Sequence, residues 1–405
     1  MKTYRLCEIC TIKEKKSLVK SMLHDDDTVS FSGMDQLGIG KKYFEPNTTK
    51  SLGSVYSGYV FFRENDLVYA KITPCFENGK MGIAKNLANG VGFGSSEFVP
   101  ITCGDKVVVE YLYYFLLRPS FISNGKSKMT GASGHRRLPD TYTENLLIPL
   151  PSIEDQKKIV TKLDSAFEKI DKAINRITSN IAKSKDFLEA STRRIFELGD
   201  TIQTPLDEVT DLTTDYVANG SFASLAENVK YSKEEDYAIL LRLLDSSRDF
   251  KGPFVYVDKK AYDFLQKSSL ESGDIIISNV GARLGTVFRA PDLGRRMTLG
   301  PNSILIRSQN HGDYLYVWLR SSAGQNAIKK IVGGAGQPKF NKTDFRKMSV
   351  PIPKYDKDKN RIVEDILKVE SFAKSLTEHY EDKLKKLESL KKSMLEQAFS
   401  VNTVE

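Results

Sequence analysis

The 405-residue sequence has few cysteines and no long apolar run. Four cysteines are too few for a disulfide framework in a chain of this length. The longest apolar candidate, residues 107–117, is shorter than a membrane span and contains Glu110. The N-terminus, Met1-Lys-Thr-Tyr-Arg, lacks the apolar segment of a signal peptide. We therefore expect a cytoplasmic protein that has no membrane association.

Signals for catalysis are sparse as well. Only four histidines are present, and we find no Asn-Pro-Pro-aromatic methyltransferase motif and no paired-carboxylate nuclease pattern. Gly38-Ile-Gly-Lys-Lys42 lacks the first glycine of a phosphate loop and the Ser or Thr after the Lys. Cys7 and Cys10 form a C-x-x-C without a second pair, so we interpret them as part of an alternating, half-buried segment. We expect no enzyme activity, and no metal or cofactor bound by this chain.

The most informative feature that is present is an internal repeat. Thr130-Gly-Ala-Ser-Gly-His-Arg-Arg-Leu138 leads to Ile148-Pro-Leu-Pro151, and Val332-Gly-Gly-Ala-Gly-Gln-Pro-Lys-Phe340 leads to Val350-Pro-Ile-Pro353. The glycine runs and the Pro-x-Pro pairs are both 202 residues apart. A duplication of this size predicts a pseudo-dimer within one chain, which suits a target with two similar halves.

The repeat predicts four segments and an α+β fold. Residues 1–151 and 201–353 are predicted to be strand-rich domains, from apolar runs at 55–62, 67–72, 274–278 and 303–307. Each domain adds a helix-like stretch before its glycine run, at 110–118 and 313–320. Residues 152–200 and 354–405 are predicted to be a central and a distal spacer helix. The predicted architecture is two strand-rich domains separated by a long antiparallel two-helix coiled coil, with a pseudo-twofold internal repeat.

The spacer helices are predicted from apolar residues at steps of three and four. In the central segment the seam is unbroken from Val160 to Ile195, and its main apolar members are Leu163, Phe167, Ile170, Ile174, Ile177, Ile181 and Leu188. The distal segment repeats the pattern less regularly, through Ile366, Val369, Leu376, Leu384 and Leu387. We expect these residues to form the coiled coil and the partner-binding helices.

Charge separates the domains from the helices. The net charge is +8, and residues 1–150 carry 19 basic and 15 acidic side chains, while residues 201–353 carry 20 and 17. The helical segments are nearly balanced. This distribution favours a polyanionic partner for the domains and a protein partner for the helices.

Antiparallel pairing of the helices would place the two domains at opposite ends of a rod. About 44 residues at ~1.5 Å each give a length of ~65 Å. Two turns of B-DNA span a similar distance, since one turn is ~34 Å. The sequence therefore predicts two DNA-reading domains held a fixed number of base pairs apart. A generic helical-hairpin scaffold is the alternative.

The candidate DNA-contacting residues lie in polar loops at matching places in the two repeats. Arg and Lys suit phosphate and guanine, and Asn and Gln suit adenine. We expect Arg136, Arg137 and Lys339 to neutralise phosphates, and Arg283 and Gln337 to read bases. The full candidate set is Lys71, Thr73, Ser95, Ser96, His135, Arg136 and Arg137 in the first repeat, and Asn279, Arg283, Asn302, Ser303, Gln337 and Lys339 in the second.

The whole layout resembles the specificity subunit of type I restriction–modification systems. Leu6-Cys-Glu-Ile-Cys10 and Leu206-Asp-Glu-Val209 are similar to the family's repeat openings, and Asp215-Tyr-Val-Ala-Asn-Gly-Ser-Phe-Ala-Ser-Leu225 to segments of its target-recognition domains. The glycine run followed by Ile148-Pro-Leu-Pro-Ser-Ile-Glu-Asp-Gln156 is the most specific part. The corresponding stretch Pro353-Lys-Tyr-Asp-Lys-Asp-Lys359 departs from the family's Glu-x-Gln form.

The resemblance implies a non-catalytic subunit with two target-recognition domains. Each domain would read one half of a bipartite double-stranded DNA target, while the helices would set the gap and dock two modification subunits. Those methyltransferase subunits would carry S-adenosylmethionine, and two restriction (translocase) subunits could join them. Two alternatives remain open at this point: a coiled-coil scaffold whose two domains bind proteins, and a DNA enzyme with a degraded motif.

Overall fold

The structure, a computed structural model, describes residues 2–132, 134–334 and 336–400. Ser133 and Ala335, one in each glycine run, and residues 401–405 of the predicted distal helix lie outside the described residues. The chain forms two compact units, one made of Met1–Thr178 with Glu381–Glu405 and the other of Ser179–Tyr380. Within the described ranges, no helix is long and apolar enough to cross a membrane.

Among the residues that the structure describes, the first unit contains eleven strands and six short α-helices. The strands are β1 (Thr3–Arg5), β2 (Cys10–Ile12), β3 (Thr28–Ser32), β4 (Tyr43–Phe44), β5 (Thr48–Ser51), β6 (Val60–Arg63), β7 (Leu67–Ala70), β8 (Met81–Ala84), β9 (Val91–Gly94), β10 (Phe98–Cys103) and β11 (Leu147–Pro149). The helices are α1 (Leu6–Ile9), α2 (Ser17–Lys20), α3 (Leu52–Tyr56), α4 (Val109–Leu116), α5 (Pro119–Lys128) and α6 (Asp140–Glu144). The long helix α7 (Ile153–Phe196) follows and continues into the second unit.

In the described part of the second unit there are ten strands and six short α-helices. The strands are β12 (Thr201–Pro205), β13 (Leu212–Asp215), β14 (Ala238–Leu241), β15 (Tyr256–Val257), β16 (Ser269–Leu270), β17 (Ile275–Ser278), β18 (Val287–Arg289), β19 (Met297–Leu299), β20 (Ser303–Arg307) and β21 (Ser349–Pro353). The helices are α8 (Phe222–Asn228), α9 (Leu243–Ser246), α10 (Lys259–Phe264), α11 (Gly312–Arg320), α12 (Ser322–Lys330) and α13 (Lys342–Arg346). The second long helix, α14 (Asp356–Phe399), ends the described chain.

The sheets of the two units correspond, except that the first unit has one additional edge strand, β4. The first has the strand orders β2-β10-β7-β8-β4 and β5-β3-β9-β6 with the pair β1-β11, and the second has β13-β20-β17-β18 and β15-β14-β19-β16 with the pair β12-β21. The parallel pair β3-β9 corresponds to the parallel pair β14-β19, whereas the parallel pair β4-β8 has no counterpart among the described strands of the second unit. The duplication therefore extends over the whole domain, and the predicted α+β fold with an internal repeat is confirmed.

The central strand of each domain separates two apolar cores. In β17, Ile275 and Ile277 pack into the core that contains α11, whereas Ile276 packs into the core of the second sheet. Leu67 and Val68 of β7 divide in the same way. Successive side chains of a strand point to opposite faces, so a strand covered on both faces is a continuous apolar run.

Three sequence interpretations need correction. The run 55–62 is not one strand: Val55 lies in α3, and a turn at Gly58, which has a φ of +86°, separates α3 from β6. The segment Cys7-Glu-Ile-Cys10 does not alternate as predicted, because Leu6 and Ile9 are buried at helical spacing in α1 and Cys10 begins β2. The run 67–72 ends as a strand at Ala70.

The long helices pair antiparallel within each unit. In the first unit, Leu163, Phe167 and Ile170 of α7 are buried in the same core as Phe399 of α14. Ile174 and Leu387 are half-buried beside them. In the second unit, the rings of Phe187 and Phe372 lie 6.3 Å apart, and Ile366 is fully buried. The remaining predicted seam residues are half-buried: Ile177, Ile181, Leu188, Val369, Leu376 and Leu384.

Candidate nucleic-acid interface

Three loops meet beyond the end of the central strand in the first domain. The central loop (71–80) follows β7, the crossover loop (95–97) joins β9 to β10, and the glycine loop (129–139) joins α5 to α6. The Lys71 amide donates to the Glu97 carbonyl at 2.9 Å, and the Leu138 amide donates to the Lys71 carbonyl at 2.9 Å. A third bond runs from the Thr73 amide to the Arg136 carbonyl at 2.9 Å.

The second domain joins its corresponding loops by the same three bonds. Its central loop (279–286) follows β17, its crossover loop (300–302) joins β19 to β20, and its glycine loop (331–341) joins α12 to α13. The Asn279 amide donates to the Asn302 carbonyl at 3.1 Å, and the Phe340 amide to the Asn279 carbonyl at 3.1 Å. The Gly281 amide donates to the Pro338 carbonyl at 3.0 Å. The two domains thus build one polar surface twice, although the side chains on it differ.

Each glycine loop folds back on itself around a glycine that no other residue can replace without strain. Gly131 has a φ of +120°, and a Cβ there would stand 3.0 Å from the His135 carbonyl oxygen. Gly334 has a φ of +101°, and its Cβ would be only 2.6 Å from the Gln337 carbonyl oxygen. The positive φ and the close backbone approach explain why the glycine runs occur in both repeats.

Carboxylates already pair with the basic side chains of the first surface. The Arg137 guanidinium contacts Glu97, with Nη2 at 2.7 Å from Oε1 and Nε at 3.0 Å from both oxygens. This hydrogen bonding raises the pKa of Arg137 above its ordinary value. Arg136 lies 3.4 Å from Glu77, and Lys71 lies 3.4 Å from Asp140. A phosphate at this surface would have to share or displace these carboxylates.

The second surface presents its basic and amide groups more freely. Lys339 and Gln337 are exposed, and within the described residues Lys339 has no carboxylate inside ion-pair distance. Arg283 is exposed in the middle of the central loop, and its Nη1 donates to the Ser247 hydroxyl. Lys339 corresponds in position to Arg137, because each forms isolated β-bridges with its own glycine loop and with the central loop of its domain. The two domains therefore carry the same surface with different local charge.

The other predicted contact residues divide into exposed and structural ones. Ser96, His135 and Asn302 are exposed, whereas Thr73 and Ser95 are half-buried. Ser303 is only 3% exposed, in β20 opposite Ser278, so we do not place it on the surface. The Asn279 side-chain amide donates to the Phe340 carbonyl at 3.1 Å, which makes it a clamp between two loops.

Sequence reasoning missed the carboxylates Glu97, Glu77 and Asp140. They come from the crossover loop, the central loop and α6, and no spacing in the sequence connects them with Arg137, Arg136 and Lys71. Comparison of the two repeats could have drawn attention to Glu97. The second crossover loop, Gly300-Pro-Asn302, has no acidic residue at the matching place.

Sequence reasoning also missed a clamp at the start of each long helix. Gln156 is fully buried: its Oε1 accepts the Val108 amide at 2.8 Å, and its Nε2 donates to the carbonyls of Lys106 and Pro151 at 2.9 and 3.0 Å. In the second unit the buried Lys359 donates to the Asn310 carbonyl at 2.6 Å. Residues 106 and 310 both lie between the last sheet strand and the next helix. Lys359 therefore makes a bond to a backbone carbonyl like the one that Gln156 makes to Lys106, but it cannot accept an amide as Gln156 does.

A comparison with protein families identifies the repeated domain. The model described as "Type I restriction modification DNA specificity domain" matches residues 1–181 and 218–386. The type I restriction enzyme EcoEI specificity subunit of Escherichia coli is 35% identical over 156 residues. That alignment covers 38% of this chain and 26% of the relative, so it spans about a quarter of the relative's length.

Two solved structures share the fold over almost the whole chain. One, from work on complex assembly and conformational transition of a type I R-M system, has a TM-score of 0.76 at 18% identity and covers 99% of this chain and 98% of its own. The other, the HsdS subunit from Thermoanaerobacter tengcongensis, has a TM-score of 0.63 at 18% identity, with coverages of 99% and 97%.

Proposed function

The chain belongs to the family of type I restriction–modification DNA specificity subunits, and from this premise we propose that each of its domains reads one half of a bipartite double-stranded DNA target. The three-loop surface carries the proposal, because the same backbone bonds build it in both domains. To read two different half-sites, the two domains need the same loop architecture with different side chains. Backbone bonds fix the loops, and the side chains select the bases.

The second surface supplies the more specific assignments. Gln337 carries the amide that suits adenine, and Arg283 carries the guanidinium that suits guanine. Lys339, a point charge, fits a phosphate. In the first domain Arg136, Arg137 and Lys71 would neutralise phosphates as well. Their carboxylate partners would limit how strongly they attract DNA that lacks the target sequence.

The long helices take the remaining part of the function. We propose that α7 and α14 set the gap between the two half-sites and dock two modification subunits, and that restriction subunits join through these. S-adenosylmethionine belongs to the modification subunits, and this chain is the non-catalytic recognition component. The nearly balanced charge of the helices supports a protein partner there rather than DNA.

The test is a binding measurement on the complex with its modification subunits. Gln337→Ala should lose about 1–3 kcal/mol of discrimination at one base pair of one half-site. Arg283→Ala should do the same at another base pair of the same half-site. Equal weakening on all sequences would make these residues backbone contacts, and loss of discrimination in both half-sites would contradict the one-domain, one-half assignment.

A further inference from the structure

Three of the four cysteines line one cleft of the first unit. Cys7, Cys10 and Cys103 border a cleft of about 360 Å³ together with Thr11 and Thr102. Cys103 is the last residue of β10, whose other end adjoins the crossover loop. The cysteines therefore lie at the opposite end of β10 from that loop, and the proposed reading of DNA does not use them.

Strand pairing places two of these cysteines directly opposite each other. Cys10 of β2 and Cys103 of β10 are register partners in the antiparallel sheet. The neighbouring bond from the Gly104 amide to the Ile9 carbonyl, at 3.0 Å, shows that the cysteine pair occupies a position without direct backbone hydrogen bonds. At such positions the Cα atoms are ~4.5 Å apart and the side chains lie close on one face. Disulfides span Cα separations of about 4.4–6.8 Å, so the backbone can accept one here.

The two thiols also differ in acidity. A hydrogen bond from the Cys103 thiol lowers the pKa of Cys10 below its ordinary value, against the opposing effect of burial. The same bond, together with burial, raises the pKa of Cys103 well above its ordinary value. Cys10 is therefore the sulfur that is easier to deprotonate, and Cys103 holds the proton. Thiolate character decides which cysteine an oxidant attacks.

We propose that Cys10 and Cys103 form a thiol pair that hydrogen peroxide oxidises to a cross-strand disulfide. The Cys10 thiolate attacks one peroxide oxygen and becomes a sulfenic acid, while the O–O bond breaks and the other oxygen leaves as water after taking up a proton. The Cys103 sulfur then attacks the Cys10 sulfur, a second water leaves, and the S–S bond forms. Overall, two thiols lose two electrons and two protons to one peroxide, which yields two waters.

Other uses of the same cysteines fit the structure less well. Among the described residues, no group of three or more His, Cys, Asp or Glu side chains is placed to hold a metal ion. Cys7 is exposed on α1 and has no strand partner, and Cys75 lies in the central loop beside a different core. These two cysteines serve as internal controls.

Differential alkylation of the full-length chain tests the proposal. The reduced protein is treated with hydrogen peroxide, blocked with light N-ethylmaleimide, reduced, labelled with the heavy reagent and digested. Cys10 and Cys103 should gain heavy label together and in equal proportion, while Cys75 stays light. Without the second reduction, the peptides of Cys10 and Cys103 should be found joined.

Two substitutions sharpen the result. Cys7→Ser should leave the joined peptides unchanged, whereas Cys103→Ser should leave Cys10 as a sulfenic acid that dimedone captures. The proposal is overturned if Cys10 pairs with Cys7, if Cys75 gains as much heavy label as the pair, or if the pair gains none. The wild-type labelling decides the matter even if Cys103→Ser does not fold.

Discussion

Replacing Lys339 by Gln tests whether the second glycine loop contacts a DNA phosphate. Each phosphate neutralised by a Lys or Arg contributes about −0.9 to the slope of log K against log salt. Raising the salt fourfold, from about 50 to 200 mM, therefore costs a factor of about 3.5 in affinity per contact. Lys339 is exposed and, in the part of the chain that the structure describes, has no competing carboxylate, so its full contribution should be available to DNA. Lys339→Gln should make the salt-induced loss of affinity smaller by about that factor.

The assay is fluorescence anisotropy with a labelled duplex, on the complex with its modification subunits, over this salt range. Lys368→Gln is the matched control: it removes one positive charge from α14, where Lys368 pairs with Glu364 at 2.9 Å. The control should leave the slope unchanged. An unaltered slope in Lys339→Gln would refute the phosphate contact. An equal change of slope in both variants would show that the effect comes from the net charge of the protein and not from a contact of Lys339.

Four further outcomes follow from the structure. Glu97→Gln should release Arg137 and steepen the same salt slope by up to ~0.9, while an unchanged slope would mean that Arg137 does not reach DNA. Gln156→Met should lower the free energy of unfolding in urea by about 1–3 kcal/mol, because the buried Val108 amide loses its acceptor. The control is Gln397→Met at an exposed position, and equal urea midpoints for the two variants would contradict the clamp. Burial, and then the charge of Lys359, lower the pKa of His311 below 6.5, so the unfolded chain binds more protons than the folded chain. Stability should therefore fall as the pH drops below that value, and His311→Gln should remove this contribution to the pH dependence of the urea midpoint. A four-residue insertion after Ser179 adds about one turn and ~6 Å to α7, so it should widen the gap between half-sites by about two base pairs, whereas a two-residue insertion should abolish activity. Methylome sequencing measures both outcomes, and an active four-residue variant with an unchanged gap would contradict the spacing role.

The repeat and the helical seams could be predicted because both are periodic in the sequence. The 202-residue offset of the glycine runs fixes which segments correspond, and the steps of three and four from Val160 to Ile195 indicate a helix independently of any tertiary contact. The central strands could be located for a similar reason, since burial on both faces requires an unbroken apolar run.

The pairing of side chains could not be predicted, because it depends on loops that only the fold brings together. Arg137 meets Glu97 across 40 positions of sequence, and Cys10 meets Cys103 through strand register. Short elements were also missed: the five residues of α3 are too few to show a helical period before the turn at Gly58. Lys359 looked like a departure from the pattern at Gln156, yet it fills the same buried position, because a Lys ammonium can also donate to a backbone carbonyl.

The central claim, that each domain reads its own half of a split target, is tested most directly by base-resolution methylome sequencing. Cells would carry the modification subunits with the wild-type chain, with Gln337→Ala, or with Arg283→Ala. We expect a bipartite methylated motif in the wild type, and each variant should relax one base pair of the same half while the other half stays unchanged. A motif that is not split, or relaxation in both halves with either variant, would contradict the assignment of one domain to one half.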